Sequence, residues 1–518
     1  MKKRRVWVIC LVLALVLSAF SGCKGSSKEG TAGKEKNNQE SQKGGDGETA
    51  NGDSGGEEKK ELYEATLMYY VANDAAPDIP AVEERFSELA MEALNIKVDL
   101  MPVTFGTYNQ QIQLMLSGGE ALDLFPMGPS VAGTYIDSQY IVDLSGYLDQ
   151  APDAVAIIGE EDIRCCSVGE FIWGFPVMME RTHPSAFIMR NDLLQEANIQ
   201  LSDIKTLEDL TGVFEKVQAL YPDMVMYGGQ YNMAPPNISN HVDTLGDRFG
   251  VLDHYGTDPT IVNYYETEEY ARMVALMRDW YNKGYISKDF ATSNDSGESL
   301  MRAGNLFSFT CNAKPDSKQE KDVMTGCDTA IFEFNDPFLS TWGTATLGYA
   351  VANNSENPAR AVELYNWIVS TREANDLLNW GVEGLDWVEA EDGSATYPEG
   401  VDINSVGYHQ DFGWAHPNQQ NAHVWSGNNP EVYDRYQEVR NSAKVSVAYG
   451  FAFDDTAVIN EIAALTAVRD QYAHTIGSGA VEPEEAIKEF NEALYAAGLQ
   501  KVIDEKQRQL DEWLAGHQ

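Results

Sequence analysis

The 518-residue chain carries 80 acidic side chains against 37 basic ones, a net charge of −43. Such a surface repels nucleic acid and anionic lipid, and no basic stripe offsets it, so neither is expected as a partner through charge.

The first 22 residues have the layout of a secretory signal. Lys2, Lys3, Arg4 and Arg5 precede an apolar run from residue 6 to 20. As a helix that run rises roughly 23 Å at 1.5 Å per residue, short of a hydrocarbon layer about 30 Å thick. Ser21-Gly22-Cys23 resembles the lipobox of bacterial lipoproteins, with Phe20 where that motif usually has Leu. The resemblance implies cleavage before Cys23 and a lipid on its sulfur, and so an extracellular protein held at the cell membrane. The alternative is an ordinary signal peptide with a chance cysteine. Removing residues 1–22 removes four basic residues and no acidic ones, leaving 33 against 80 and a net charge of −47. Residues 24–60 contain no large apolar side chain, so a disordered linker is expected, reaching roughly 30–35 Å.

About 458 residues follow, more than one core usually holds, and this predicts two lobes. "ATLMYYV" (65–71) reads as a buried strand. Pro77, Asp78 and Pro80 then signal a turn and cap, and Val82, Phe86, Leu89, Ala90 and Leu94 repeat at helical spacing. "NIKVDLMPV" alternates as a second strand, a helix is predicted over 108–117, and "LDLFPMG" reads as a third strand. Strand–helix–strand–helix–strand opens a parallel α/β sheet. Ligands of such sheets gather beyond the carboxyl ends of the strands, which points to loops 72–78 and 127–130.

Further on, residues 171–194 read as a crossing between lobes. Helices are predicted over 203–221 with Thr206 as N-cap, over 267–283 ended by Gly284, and after Asn357-Pro358. "TWGTATLGYAVAN" (341–353) reads as a strand, and 483–497 and 499–514 as closing helices split by Gly498.

"MLSGGEALDLFPMG", "YIVDLSGYLDQ", "GFPVMMERTHPSAFIMRNDLLQEANI", "KTLEDLTGVFEKVQALYPD" and "YYETEEYARMVALMRDWYNKGYISKDF" occur in that order. With "WGVEGLDW", "FAFDDTAVINEIAALTAVRDQY" and "QRQLDEW", they resemble the carbohydrate-type solute-binding lipoproteins of ABC importers, in a branch whose C-terminal portion is poorly characterised. The resemblance implies an α/β, two-lobe, type II periplasmic-binding-protein-like fold. Each lobe would be a mostly parallel sheet flanked by helices, with the ligand cleft between lobes. It implies hinge closure on a small-molecule ligand and delivery to importer permease subunits, and the protein is expected to be a monomer. The expected division is signal peptide 1–22 and lipidated linker 23–60. Lobe 1 follows from 61–180 and about 347–440, and lobe 2 from about 181–346 and 441–518.

No nucleophile elbow, zincin motif, P-loop or dinucleotide fingerprint occurs, so no enzyme chemistry and no cofactor is expected. His409, His416 and His423 recur every seven residues, but Gly407, Gly413, Pro417 and Gly427 break any helix that would align them on a metal. Cys311 and Cys327 could close a loop worth about 3 kcal/mol, or remain two small hydrophobes.

Residues 407–430 interleave Tyr408, Phe412, Trp414 and Trp425 with Gln410, Asp411, Asn418, Gln419, Gln420, Asn421 and Asn428. Sugars present C–H faces to aromatic rings and hydroxyls to amides and carboxylates, so this loop is a candidate sugar-binding element. The alternative is a packed surface loop without a ligand. Tyr231 and Asn232 offer a smaller set of the same type. Trp173 and Trp342 lie at the inferred lobe crossings, and Tyr70 and Asp74 border the end of the first strand. Core packing is the alternative for these. The expected ligand is a neutral oligosaccharide. A peptide ligand, or a lipid-anchored hydrolase or attachment protein acting on polysaccharide, is the competing reading.

Overall fold

Strand β1 (Tyr63–Tyr70) leads into helix α1 (Ile79–Leu94), β2 (Ile96–Val103), α2 (Phe105–Gly118) and β3 (Leu124–Met127). This is a computed structural model, which describes residues 61–182 and 184–517. Residues 60–518 form one compact unit. The expected signal peptide (1–22), Cys23 and the expected linker to residue 60 lie outside the described residues. Among the described residues no helix is long and apolar enough to cross a membrane.

Local chemistry explains these first elements. Pro80 stands in the first turn of α1, where its missing N–H costs nothing. Val82, Phe86 and Ala90 form the buried stripe, and full burial of a side chain such as Phe86 contributes about 1.5–3 kcal/mol. Asn95, left-handed at φ 55°, ends the helix and returns its N–H to Ala90 O and Met91 O.

The chain then passes through β4 (Phe175–Pro176) into β5 (Ser185–Arg190), α3 (Asp209–Leu220), β6 (Val225–Tyr227), α4 (Glu268–Asn282), β7 (Leu306–Asn312), α5 (Lys318–Thr325) and β8 (Thr329–Glu333). It returns by β9 (Phe338–Leu339) to β10 (Gly348–Val351), α6 (Pro358–Ser370) and α7 (Arg372–Trp380). Finally α8 (Val432–Ser442) and β11 (Lys444–Val445) lead to α9 (Ile459–Gly477), α10 (Pro483–Ala496) and α11 (Leu499–Gly516).

Beside four two-stranded pairs, the two largest sheets among the described residues have the order β2-β1-β3-β10-β4 and β8-β5-β7-β6. Each centres its own core, the first around Leu67, Phe125 and Tyr349, the second around Phe187, Phe214 and Trp280. A further cluster joins Phe249 and Tyr265 to Phe490 and Leu499 of the C-terminal helices.

The sheets are mixed, which corrects the expectation of mostly parallel strands. β1 is parallel to β2 and β3, but β10 runs antiparallel to β3 and β4. β5 is antiparallel to β7 and β8, while β6 is parallel to β7. Parallel neighbours need a crossover within one sheet. β10 arrives directly from the other lobe, so that constraint is absent.

Two boundaries also differ from the sequence expectation. Residues 341–344 form a helical turn, because the Ser340 hydroxyl accepts from Gly343 N and caps it, and the strand starts only at Gly348. α3 begins at Asp209, whose carboxylate accepts from Lys205 N and Thr206 N and so holds the Thr206 turn outside the helix. The cap at Asn357 forms as expected: its side chain accepts from Arg360 N and Pro358 opens α6. Cys311 and Cys327 are free thiols, so no bridge closes that loop.

Candidate functional site

Tyr70 is the last residue of β1 and Phe105 the first of α2, so both stand at carboxyl ends of lobe 1 strands. Their rings stack at 4.3 Å with an interplanar angle of 22°. Trp414, from the 407–430 loop, lies parallel to Phe105 at 5.7 Å and 4°. Phe412 meets Trp414 edge-on at 5.7 Å. The loop is tied to the strand end: His416 Nε2 donates to Tyr70 O at 3.0 Å, and Ala72 N donates to Gln410 Oε1 at 2.7 Å. Phe105 remains 50% exposed, which is unusual for a ring stacked on two others and leaves an apolar face toward solvent.

Trp414 also lines a cavity of about 240 Å³ between the lobes. Met179 and Glu180, at the first crossing, share its wall, and Asn312, Lys314 and Glu320 face them from lobe 2. Lys314 Nζ pairs with Glu320 at 2.7 Å, and Lys321 reaches Glu320 and Glu298 at 3.3 Å each. Glu180 accepts from Gln419 Nε2 at 2.9 Å, and Gln420 Nε2 donates to Met179 O at 3.0 Å. Burial opposes the charge on Lys314, but Glu320 and then Glu180 outweigh it and raise its pKa. Asp411, beside this group, has its carboxyl pushed up to about 6. Desolvation is the main cause, with Lys314 opposing and Glu320 adding to it. The cavity is thus lined by paired charges, the Asn312 amide, the Ser317 hydroxyl and Trp414, which joins it to the aromatic stack.

A second pair of acids stands behind the loops. Asp386 accepts from Val382 N at 2.9 Å, and its Oδ1 is buried with no hydrogen-bond donor. Its carboxyl is pushed up to about 7, first by burial and then by Asp78, the residue before α1.

Of the candidate residues, Tyr70 and Trp414 belong to the stack. Asp74 is exposed in the loop after β1. Trp173 is 1% exposed and packs against Gly348, where a Cβ would lie 2.9 Å from its ring. It is core, not cleft wall. Tyr408 is likewise core, its hydroxyl donating to Leu378 O at 2.8 Å. Tyr231 is buried against α9, 4.3 Å from the His474 ring, with its hydroxyl on Ala473 O, while Asn232 is exposed. Trp342 is half-buried in the 341–344 turn against Gly246. Trp425 packs at 4.9 Å from Trp380, 4.7 Å from Tyr397 and 4.4 Å from His409, in a cluster of its own. The corrections share one reason: an aromatic near a crossing has a lobe core on one side, and apolar burial draws it there.

The three histidines also part company. His416 bonds Tyr70, His423 pairs with Asp376 at 2.7 Å, and His409 lies among rings. No group of three or more metal-ligating side chains occurs among the described residues.

Phe105, Glu180, Lys314 and Glu320 were not singled out from sequence. Phe105 had a signal, since it follows β2 where ligands gather. The other three are brought together only by the packing of one lobe against the other.

Comparison with known proteins adds the following. A family model described as bacterial extracellular solute-binding protein matches residues 84–382, and a domain of unknown function (DUF3502) matches residues 447–515. A carbohydrate ABC transporter substrate-binding protein of Streptococcus pneumoniae serotype 4 is 25% identical over 461 residues, spanning 86% of this chain and 91% of that protein. Lipoprotein LipO of Bacillus subtilis is 23% identical over 371 residues, 67% of this chain and 71% of its own. The crystal structure of the N-glycan transport solute binding protein NgtS of S. pneumoniae shares the fold. Its TM-score is 0.77 at 22% identity, over 88% of this chain and 99% of that one.

Proposed function

From the premise that the chain belongs to the bacterial extracellular solute-binding proteins, we propose that it captures a neutral oligosaccharide between its lobes and delivers it to an ABC importer. The observation that carries this reading is the Tyr70–Phe105–Trp414 stack, whose Trp414 lines an inter-lobe cavity walled by Asn312, Ser317 and paired charges. An aromatic face takes the C–H face of a sugar ring. Asn312, Ser317 and Glu180 in the cavity wall offer partners to hydroxyls, each of which would cost about 1–3 kcal/mol if buried unpaired. The two cations of the cavity wall, Lys314 and Lys321, are already held by Glu320 and Glu298. The −47 body adds long-range repulsion that salt only partly screens.

The names of two relatives support the ligand class: one serves a carbohydrate importer and the other N-glycan transport. Similarity to a lipoprotein supports an anchor at Cys23, with two or more acyl chains sufficient for stable attachment. The lobes close about their crossings on the ligand, and binding rather than catalysis is the activity.

Calorimetry against neutral oligosaccharides, acidic sugars and peptides tests the ligand. Binding of a neutral oligosaccharide, recovered intact, is expected. Binding only of a peptide or an acidic sugar overturns the ligand class, and release of shortened sugars overturns the transport reading.

A further inference from the structure

Three segments join the lobes: residues 177–182, residues 336–346, and residues 432–450. The first and third contact Asp162, a residue of lobe 1 in the short helix Glu160–Arg164 that is 2% exposed, and the second reaches it through the third. The first segment sends Arg181, whose Nη1 reaches Asp162 Oδ2 at 3.3 Å. The third sends Arg440, whose Nη2 donates to both carboxylate oxygens at 2.8 and 3.0 Å, and Tyr449, whose hydroxyl donates to Oδ1. The second reaches the same point through Thr344, whose hydroxyl lies 2.9 Å from that of Tyr449. The second and third segments are also laced together directly. β9 and β11 pair in parallel, and Thr341 Oγ1 donates to Ala448 O at 2.9 Å while accepting from Gly450 N at 2.8 Å.

We propose that Asp162 is the positioning residue of the hinge, a lobe 1 carboxylate that holds the first and third connections directly and the second through Tyr449, and so sets how far the lobes stand apart. The inference rests on the two-lobe closure reading above, but it concerns the joint rather than the ligand.

Three features favour this over a merely structural ion pair. First, two guanidiniums share the one buried carboxylate, while the other acids that line the adjoining cavity, Glu160 and Glu161, are exposed. Loss of that carboxylate leaves the buried Arg181 and the half-buried Arg440 facing each other, with repulsion only partly screened. Second, the contact with the first segment is incomplete. Arg181 Nη1 is buried and makes no hydrogen bond, only the 3.3 Å ion contact, while its Nη2 donates to Met178 Sδ at 3.1 Å. Buried donors are normally satisfied, so this arm has slack that the other two lack. Third, a cavity of about 370 Å³ opens beside the joint, lined by Asp162, Met178, Arg181, Gln437 and Arg440. Packed interiors resist movement for want of space, and here the arms have room to swing about a fixed point. The third segment also connects to the candidate site. Arg435 Nε lies 2.9 Å from Asp316 and Gln437 Nε2 donates to Gln420 Oε1 at 2.6 Å, so α8 carries the joint toward the cavity wall.

The test needs no ligand. Hydrogen exchange and small-angle scattering are measured on the ligand-free protein and on Asp162→Asn, Arg440→Gln and Tyr449→Phe. The expected result is faster amide exchange confined to residues 177–182, 338–346 and 440–450, with protection kept in β1 and β5. A larger radius of gyration should accompany it, largest in Asp162→Asn. Should Asp162→Asn fail to fold, Tyr449→Phe and Arg440→Gln decide, since each removes a single arm. Unchanged exchange and radius in those two variants, or a uniform loss of protection through both lobes, overturns the proposal. A normal response here with no oligosaccharide bound in calorimetry would leave the hinge standing and reject only the ligand class.

Discussion

Phe105 and Trp414 lie parallel, 5.7 Å apart with 4° between their planes, although 309 positions separate them in the chain. One opens the helix after the second strand and the other sits in a loop that returns from beyond the second lobe. The stack therefore exists only once lobe 1 has closed on itself, and its Trp414 lines the cavity.

Replacing either ring should cost binding rather than folding. Trp414→Ala and Phe105→Ala are expected to weaken oligosaccharide affinity at least tenfold, about 1.4 kcal/mol, with small changes in melting temperature. Trp173→Ala should do the reverse. It empties a fully buried site and should destabilise by about 3–5 kcal/mol. Calorimetry with parallel thermal melts separates the two outcomes. Loss of stability without loss of affinity in Trp414→Ala would remove the stack from the site.

The acid pair predicts a pH signature. The Asp386 carboxyl is raised from 3.8 to about 7 by burial and by Asp78. The folded state therefore binds more protons than the unfolded chain between those values. The stability this supplies is complete below about pH 4 and is lost as pH rises through about 7. Asp386→Asn should flatten that part of the curve. Denaturation midpoints across pH 4–8 measure it, and parallel curves for the two proteins would show that Asp386 does not titrate in this range.

Anchoring at Cys23 can be examined in cells. Cys23→Ala should appear in the medium or remain unprocessed, whereas the unsubstituted protein should partition into detergent. Identical processing and retention of the two proteins would mean that no lipid is attached there.

Closure has its own measurement. Scattering at saturating neutral oligosaccharide should give a smaller radius of gyration than the ligand-free protein. An unchanged radius would favour a preformed pocket.

Much of the local structure was legible in the residues themselves. Asn357 and Pro358 marked the start of α6, Thr267 and Gly284 bracketed α4, and the alternation of Ile96, Val98 and Leu100 gave β2. These signals act within a few residues, through caps, fixed φ values and the period of burial, so short windows suffice to read them. The strand before β10 failed because a single hydroxyl, that of Ser340, caps a helical turn in a stretch whose composition suits a strand.

The sequence by itself determined that this is an acidic chain with two α/β lobes, an amide- and aromatic-rich loop, and a cysteine set just after a signal-like segment. Only the tertiary structure decided which aromatics face the cavity. Trp173 and Trp414 are the same residue type in similarly mixed surroundings, yet one is core and the other lines the cavity between lobes. Burial of an aromatic is favourable wherever apolar surface is available, and it carries no information about which apolar surface is meant. That choice rests on contacts made across hundreds of residues, as does the meeting of Arg181, Arg440 and Tyr449 on Asp162.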